Sequence, residues 1–234
     1  MSEVVPPPNG EKKDIYSILR ARILDLQLPP DSKVTIDAIA REMNVSHTPV
    51  REALRQLEGD NLIVKAPRRG YRTTSLLNFD QLRELFELRL LIEPWAARSA
   101  ATNSLSNPSR ALSSELEGFL RKRDAEDNIR HSLVTHDMQF HDHILQASRN
   151  TFVHQAIETT HSHLHLSRLY PGDWTGEQTV GEHRLIAEAI QACDPDAAEQ
   201  AMRDHLMGAY YRFAGAFEKH EDVGPRPVPI TQLY

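Results

Sequence analysis

The sequence predicts a mostly α protein. An N-terminal winged helix-turn-helix with a small β-hairpin wing is followed by a C-terminal antiparallel all-α helical bundle. Three observations carry this expectation. Residues 15–57 hold three apolar patterns at helical spacing, separated by proline and asparagine stop signals. Two short β-prone runs then flank the basic turn Pro67-Arg68-Arg69-Gly70. Everything from Asn78 onward keeps the helical period, with short breaks that favour antiparallel neighbours.

The elements follow in order. Residues 1–10, with three consecutive prolines and Asn-Gly, are expected to be disordered. Ile15, Ile18, Leu19, Ile23 and Leu26 share one helix face. Pro29 and Pro30 end that helix, because they lack backbone donors and restrict the residues before them. A short helix follows near 35–43, and Asn44 suits its C-terminal stop. Ser46 or Thr48 can cap the next helix, Pro49 fits its first turn, and Val50, Leu54 and Leu57 are its buried face. Leu62-Ile63-Val64 and Tyr71-Arg72-Thr73-Thr74 form the hairpin. The winged helix-turn-helix domain is therefore placed at 11–75 and the helical domain at 78–221, with a flexible tail at 222–234. Helices are expected near 79–101, 107–125, 130–148, 151–168, 177–192 and 195–220. Asp194 as cap with Pro195 in the first turn is a strong start for the last.

Composition narrows the class. The 234 residues are 40% hydrophobic and 26% charged, ordinary for a globular chain. No apolar run reaches the ~18–20 residues of a membrane span, and the first ten residues lack the features of a signal peptide. One cysteine, Cys193, excludes an internal disulfide. A cytoplasmic location without a membrane partner is expected. The net charge of −6 conceals a split: residues 11–75 carry twelve Lys/Arg against nine Asp/Glu, while 76–234 carry fifteen against twenty-three. A basic N-terminal part beside an acidic remainder hints at a nucleic-acid module joined to something else.

A recognition helix enters the major groove with its N-terminal residues nearest the bases. Those positions here are Ser46, His47, Thr48 and Arg51. Arg51 suits a forked contact to guanine, and Arg68, Arg69 and Gly70 stand where a wing tip would. The plainer alternative makes Arg51 and Arg55 a solvated face beside Glu52 and Glu58.

The stretch VSHTPVREALRQLEGDNLI followed by RRGYRT resembles the GntR family of bacterial transcription regulators. The acidic helical remainder, with RLLIEPWAA at 89–97 and DMQFH at 137–141, looks like the FadR subfamily and its C-terminal ligand-binding domain. The resemblance spans roughly residues 12–220. Two positions depart from it. His47 stands where many members have arginine, and Ile36-Asp37 stands where they often carry a basic or acidic pair. Both places are ones the family uses on DNA, so the operator preference is expected to differ.

The stretch HDMQFHDH at 136–143 offers five possible metal ligands. Residues four apart on a helix share a face, so Asp137 and His141 pair on the side of Val134, Ile144 and Leu145. His136 and His143 fall on a different and wetter stripe. His183 and His205 occupy comparable apolar settings on other helices. An aspartate with three histidines suits a divalent cation such as Zn²⁺, Ni²⁺ or Mn²⁺, and the resemblance implies this same set, Asp137, His141, His183 and His205. Hydrogen-bonded core histidines without a metal are the alternative. A second cluster, His161, His163 and His165, is read as partly exposed or pocket-lining, with His163 pointing elsewhere and no carboxylate among them.

The resemblance implies a small organic acid as effector, held by the metal and by basic or polar side chains. Arg89 is the first candidate for its carboxylate, with an internal ion pair to Glu93 as the alternative; Arg168 is the second. The expected function is a homodimeric, metal-dependent repressor that releases or binds double-stranded operator DNA in response to that acid, and not an enzyme. The rivals are a metal-sensing regulator and a metallohydrolase with a DNA-binding module. The latter lacks a general base, because helical phase turns His136, Asp142 and Glu182 away from the ligand face.

Overall fold

The computed structural model describes residues 14–66, 70–102, 104, 107–125, 129–169 and 175–218. The expected disordered start, the expected tail at 222–234, and Arg68 and Arg69 lie outside them. The chain forms two compact units, residues 1–75 and 76–234.

The first unit holds α1 (Ile15–Leu24), β1 (Lys33–Val34), α2 (Ile36–Met43), α3 (His47–Gly59), β2 (Ile63–Lys65) and β3 (Tyr71–Thr73). Its core is Leu19, Ile23, Val50, Leu54, Leu57, Leu62 and Ile63. Asn44 ends α2 in the left-handed region, φ 52°, where asparagine is tolerated better than most residues. The hairpin strands β2 and β3 pair antiparallel, Ile63 opposite Thr73 and Lys65 opposite Tyr71. A third strand, absent from the sequence expectation, extends the wing: β1 pairs with β3, giving the order β1-β3-β2. Two residues are too few for a periodicity signal. Thr73 pins the strand's approach instead, its buried hydroxyl donating to Pro29 O at 2.6 Å and accepting from Ser32 N at 2.9 Å. Gly70 follows the wing tip at φ +87°, and a Cβ there would lie 3.0 Å from Val34 O.

The second unit is helical among its described residues: α4 (Phe79–Ala101), α5 (Ser109–Arg123), α6 (Arg130–Ala147), α7 (Thr151–Glu158), α8 (Ser162–Arg168), α9 (Glu177–Gln191) and α10 (Pro195–Glu218). Asn78 and Gln81 close a capping box on α4. Asp194 caps α10 through Ala197 N at 3.0 Å. The long α4 and α10 pack together, with Phe86 edge-on to Tyr210 at 5.5 Å between ring centres. Phe140, Ile144, Ile186, Ile190, Met202 and Leu206 complete the core around them. None of the helices described is long and apolar enough to cross a membrane.

The expected single helix over 151–168 is corrected. It breaks at residues 159–161, where the Thr159 and Thr160 hydroxyls bond back to helix carbonyls and His161 turns to φ 47°. Side-chain hydroxyls competing for backbone acceptors weaken a helix there. The break re-aims α8 against α6, and this placement matters for the site below.

Candidate metal centre and nucleic-acid interface

In the first unit, Ser46, His47, Thr48 and Arg51 are all exposed at the N-terminal end of α3. Ser46 occupies the cap position without a side-chain cap bond, so its hydroxyl is not committed to the helix. His47 Nε2 stands 3.3 Å from Asp37 Oδ1 at the start of α2, so the two departures noted in the sequence lie side by side. Arg22 pairs with Glu42 at 2.7 Å.

In the second unit, α6 supplies Asp137 and His141, α9 supplies His183 and α10 supplies His205. One ligand atom from each of the four lies within 4.8 Å of all the others. His141 Nε2 and His205 Nε2 are 3.2 Å apart. Asp137 Oδ1 is 3.7 Å from His141 Nε2 and 3.4 Å from His183 Nε2. Two atoms each bonded at about 2.1 Å to one ion, at octahedral or tetrahedral angles, stand roughly 3.0–3.4 Å apart. The His141–His205 and Asp137–His183 pairs match that spacing, the Asp137–His141 pair is wider at 3.7 Å, and all four atoms fall within 4.8 Å.

The outer partners decide the tautomers. A carboxylate can only accept, so His141 Nδ1–H donates to Glu93 Oε2 and His205 Nδ1–H donates to Glu182 Oε2, the latter at 2.7 Å. His136 Nδ1–H likewise donates to Glu115 Oε1 at 3.1 Å. His136 Nε2 is then an acceptor and takes the proton of His183 Nδ1 at 3.0 Å. With the Nδ1 atoms engaged outward, the three Nε2 atoms are the ones turned toward the centre of the set. His183 Nε2 is fully buried and has no hydrogen-bond partner among the described residues. Burial pushes His141 down to about 4 against the pull of Glu93, and pushes His183 well below the ordinary histidine range. Near neutral pH both imidazoles are uncharged and able to ligate. Buried ring nitrogens converging on one another are costly unless a cation takes their lone pairs, so the donor set fits a divalent ion.

Four sequence expectations are corrected here. His136 is not on a wet stripe: it is 1% exposed, because α5 covers that side, stacking Phe119 on its ring at 4.7 Å. His163 does not point elsewhere: its Nδ1 donates to Asp137 Oδ2 at 2.6 Å, after the α7–α8 break re-aims it, and thereby orients the aspartate. A carboxylate therefore does stand at that second histidine cluster. Glu182 is not turned away either; it sits directly behind His205. Asp142 does face off the site, bonded to His154 and Gln146. His165 is buried, and its imidazole is pushed down to about 4 by burial and by Arg168.

Arg89, the first candidate for the effector carboxylate, forms the alternative internal ion pair with Glu93. It is 2% exposed and its Nε donates to Glu93 Oε1 at 2.5 Å. Burial alone would raise the Glu93 carboxyl, but Arg89 and His141 outweigh it and hold it well below the usual range. Arg212 holds Glu182 with two bonds, 2.7 and 2.8 Å, and hydrogen bonds from His205 and Arg212 overcome burial to bring that carboxyl to about 2. Arg89, Arg212, Thr179, His163, Asp137 and His205 share one cavity of about 80 Å³. At about 30 Å³ per liquid water, that is room for a few waters or the head of a small carboxylic acid. Arg168 is buried at 1% exposure and does not line this cavity.

Comparisons with known proteins follow this division. Residues 11–72 match the family described as bacterial regulatory proteins, gntR family, and residues 84–208 match the FCD domain. The chain is 26% identical over 195 residues to the uncharacterised HTH-type transcriptional regulator YdhC of Bacillus subtilis, covering 82% of this chain and 85% of that protein. It is 28% identical over 203 residues to the HTH-type transcriptional repressor RspR of Escherichia coli, covering 86% and 88%. The crystal structure of a putative GntR transcriptional regulator from Rhodococcus sp. RHA1 superposes with a TM-score of 0.67 at 21% identity, covering 86% of this chain and 96% of that one. At that identity the likeness concerns the fold.

Proposed function

The chain belongs to the GntR family of bacterial regulatory proteins and carries an FCD domain, and from that premise we propose a repressor whose operator affinity is set by a small organic acid bound beside a metal ion. The family consists of DNA-binding transcriptional regulators rather than enzymes, and the FCD domain is its effector-binding part. The finer reading places this chain in the FadR subfamily and in the cytoplasm, as a homodimer on a two-fold operator. Ser46, His47, Thr48 and Arg51 read bases or phosphates, with Arg68, Arg69 and Gly70 at the wing.

The observation that carries the regulatory half is the convergence of three buried Nε2 atoms and Asp137 beside a cavity. Asp137, His141, His183 and His205 would hold Zn²⁺, Ni²⁺ or Mn²⁺. When bound, the ion supplies open coordination positions for a carboxylate. Glu93, Glu182 and His136 fix the three imidazoles in the ligating tautomer, and His163 fixes the aspartate. The cavity supports an acid effector over a signal carried by the metal alone. Arg89 supports it by contributing positive charge to the wall, although its own bonds go to Glu93. For the acid to act as a switch it must bind one arrangement of the helices better than the other.

The test is fluorescence anisotropy on operator DNA with metal-stripped protein, then with metal, then with metal plus a panel of small acids. An affinity that changes only when both metal and an acid are present supports the reading. Metal alone sufficing would make the protein a metal sensor, and indifference to every acid would remove the effector.

A further inference from the structure

Two glutamates stand in the same relation to the site on opposite sides. Glu93 of α4 joins cavity residue Arg89 to His141: one carboxylate oxygen takes Arg89 Nε at 2.5 Å and the other takes His141 Nδ1. Glu182 of α9 joins cavity residue Arg212 to His205: Arg212 holds both of its oxygens at 2.7 and 2.8 Å, while Oε2 also takes His205 Nδ1 at 2.7 Å. Both arginines line the 80 Å³ cavity. The cavity wall and the four-residue centre thus share two carboxylates, and the arginines' hydrogen bonds go to these carboxylates.

We infer that Glu93 and Glu182 are positioning residues that couple the cavity to the metal, so that a carboxylate in the cavity and a divalent ion at the centre tighten one another's binding. The physical basis is competition for each arginine's charge. An anion in the cavity draws on Arg89 and Arg212 and weakens their hold on the two glutamates. Each glutamate then accepts more strongly from its histidine Nδ1–H, and the imidazole becomes a better donor at Nε2. Linkage makes the effect reciprocal: whatever the acid does to metal affinity, the metal does to acid affinity. This rests on the proposed metal and acid sites, and it adds a route between them that does not require the acid to touch the ion.

The experiment measures Zn²⁺ affinity of the full chain by competition with a chromophoric chelator, alone and with saturating acetate, lactate or malonate in turn. In the wild type, at least one acid should tighten Zn²⁺ by about 5–150-fold, the usual span of such couplings. Glu182→Gln keeps the shape and an acceptor for His205 but removes the charge. It should weaken Zn²⁺ by about 10–100-fold without acid, and the ratio of affinities with and without acid should shrink toward one. Glu93→Gln should do the same from the other side, and circular dichroism reports whether each variant keeps its helices. An acid effect of unchanged ratio in both variants would overturn the coupling, leaving direct coordination as the link. No acid effect in the wild type would overturn it while leaving the metal centre standing. A wild type that binds no Zn²⁺ would overturn both.

Discussion

His141 and His205 face one another Nε2 to Nε2 at 3.2 Å. Each spends its Nδ1–H on a glutamate, His141 on buried Glu93 and His205 on half-buried Glu182. A carboxylate on the far nitrogen and a bare lone pair on the near one is the arrangement of metal-binding histidines.

Removing His183 takes one imidazole from the set, together with its Nδ1 hydrogen bond to His136. His183→Ala should lower bound metal below one per chain by elemental analysis while the far-ultraviolet spectrum stays helical. Its ring also stacks on Phe140 at 4.0 Å, so some loss of stability accompanies it, about 1–3 kcal/mol. Full metal stoichiometry in this variant is incompatible with the assignment.

Metal should stabilise the second unit. An ion bound only by the folded state at one hundred times its dissociation constant adds about 2.7 kcal/mol. For a unit of this size that is several degrees of melting temperature. Differential scanning calorimetry with chelator and then with added Zn²⁺ measures it. The transition of the second unit should move and that of the first should not.

On the DNA side, Arg51→Ala should weaken operator binding by about 1–3 kcal/mol, the value of a forked guanine contact, with discrimination lost at one base position. Uniform weakening across all sequences would instead make Arg51 a phosphate contact.

Gly70 provides a test of the wing. Its φ of +87° strains any side chain, and a Cβ would crowd Val34 O at 3.0 Å. Gly70→Ala should destabilise the first unit by about 1–2 kcal/mol, read by urea unfolding, and should weaken DNA binding by disturbing the β1–β3 pairing.

Much of this was legible in the sequence because it depends on local period. The spacing of Val50, Leu54 and Leu57 marks the recognition helix, and the four-residue step from Asp137 to His141 puts both on one face. What local period does not carry is which helix covers which side. His136 is one residue from Asp137 and reads as a bystander until α5 places Glu115 and Phe119 over it. Glu93 and Glu182 act through packing between helices far apart in the chain. His163 depends on the break after α7, whose signal is the pair Thr159-Thr160, two hydroxyls able to compete for backbone acceptors. Strand β1 is too short to declare itself and is held by Thr73 of its neighbour β3, distant along the chain.

The measurement that bears most directly on the metal centre is X-ray absorption spectroscopy of the Zn²⁺- or Ni²⁺-loaded protein. The account predicts about three imidazole nitrogens and at least one oxygen in the first shell near 2.0–2.2 Å, with one imidazole fewer in any His183→Ala protein that still retains metal. A first shell without imidazole scattering, or one that His183→Ala leaves unchanged, would contradict it.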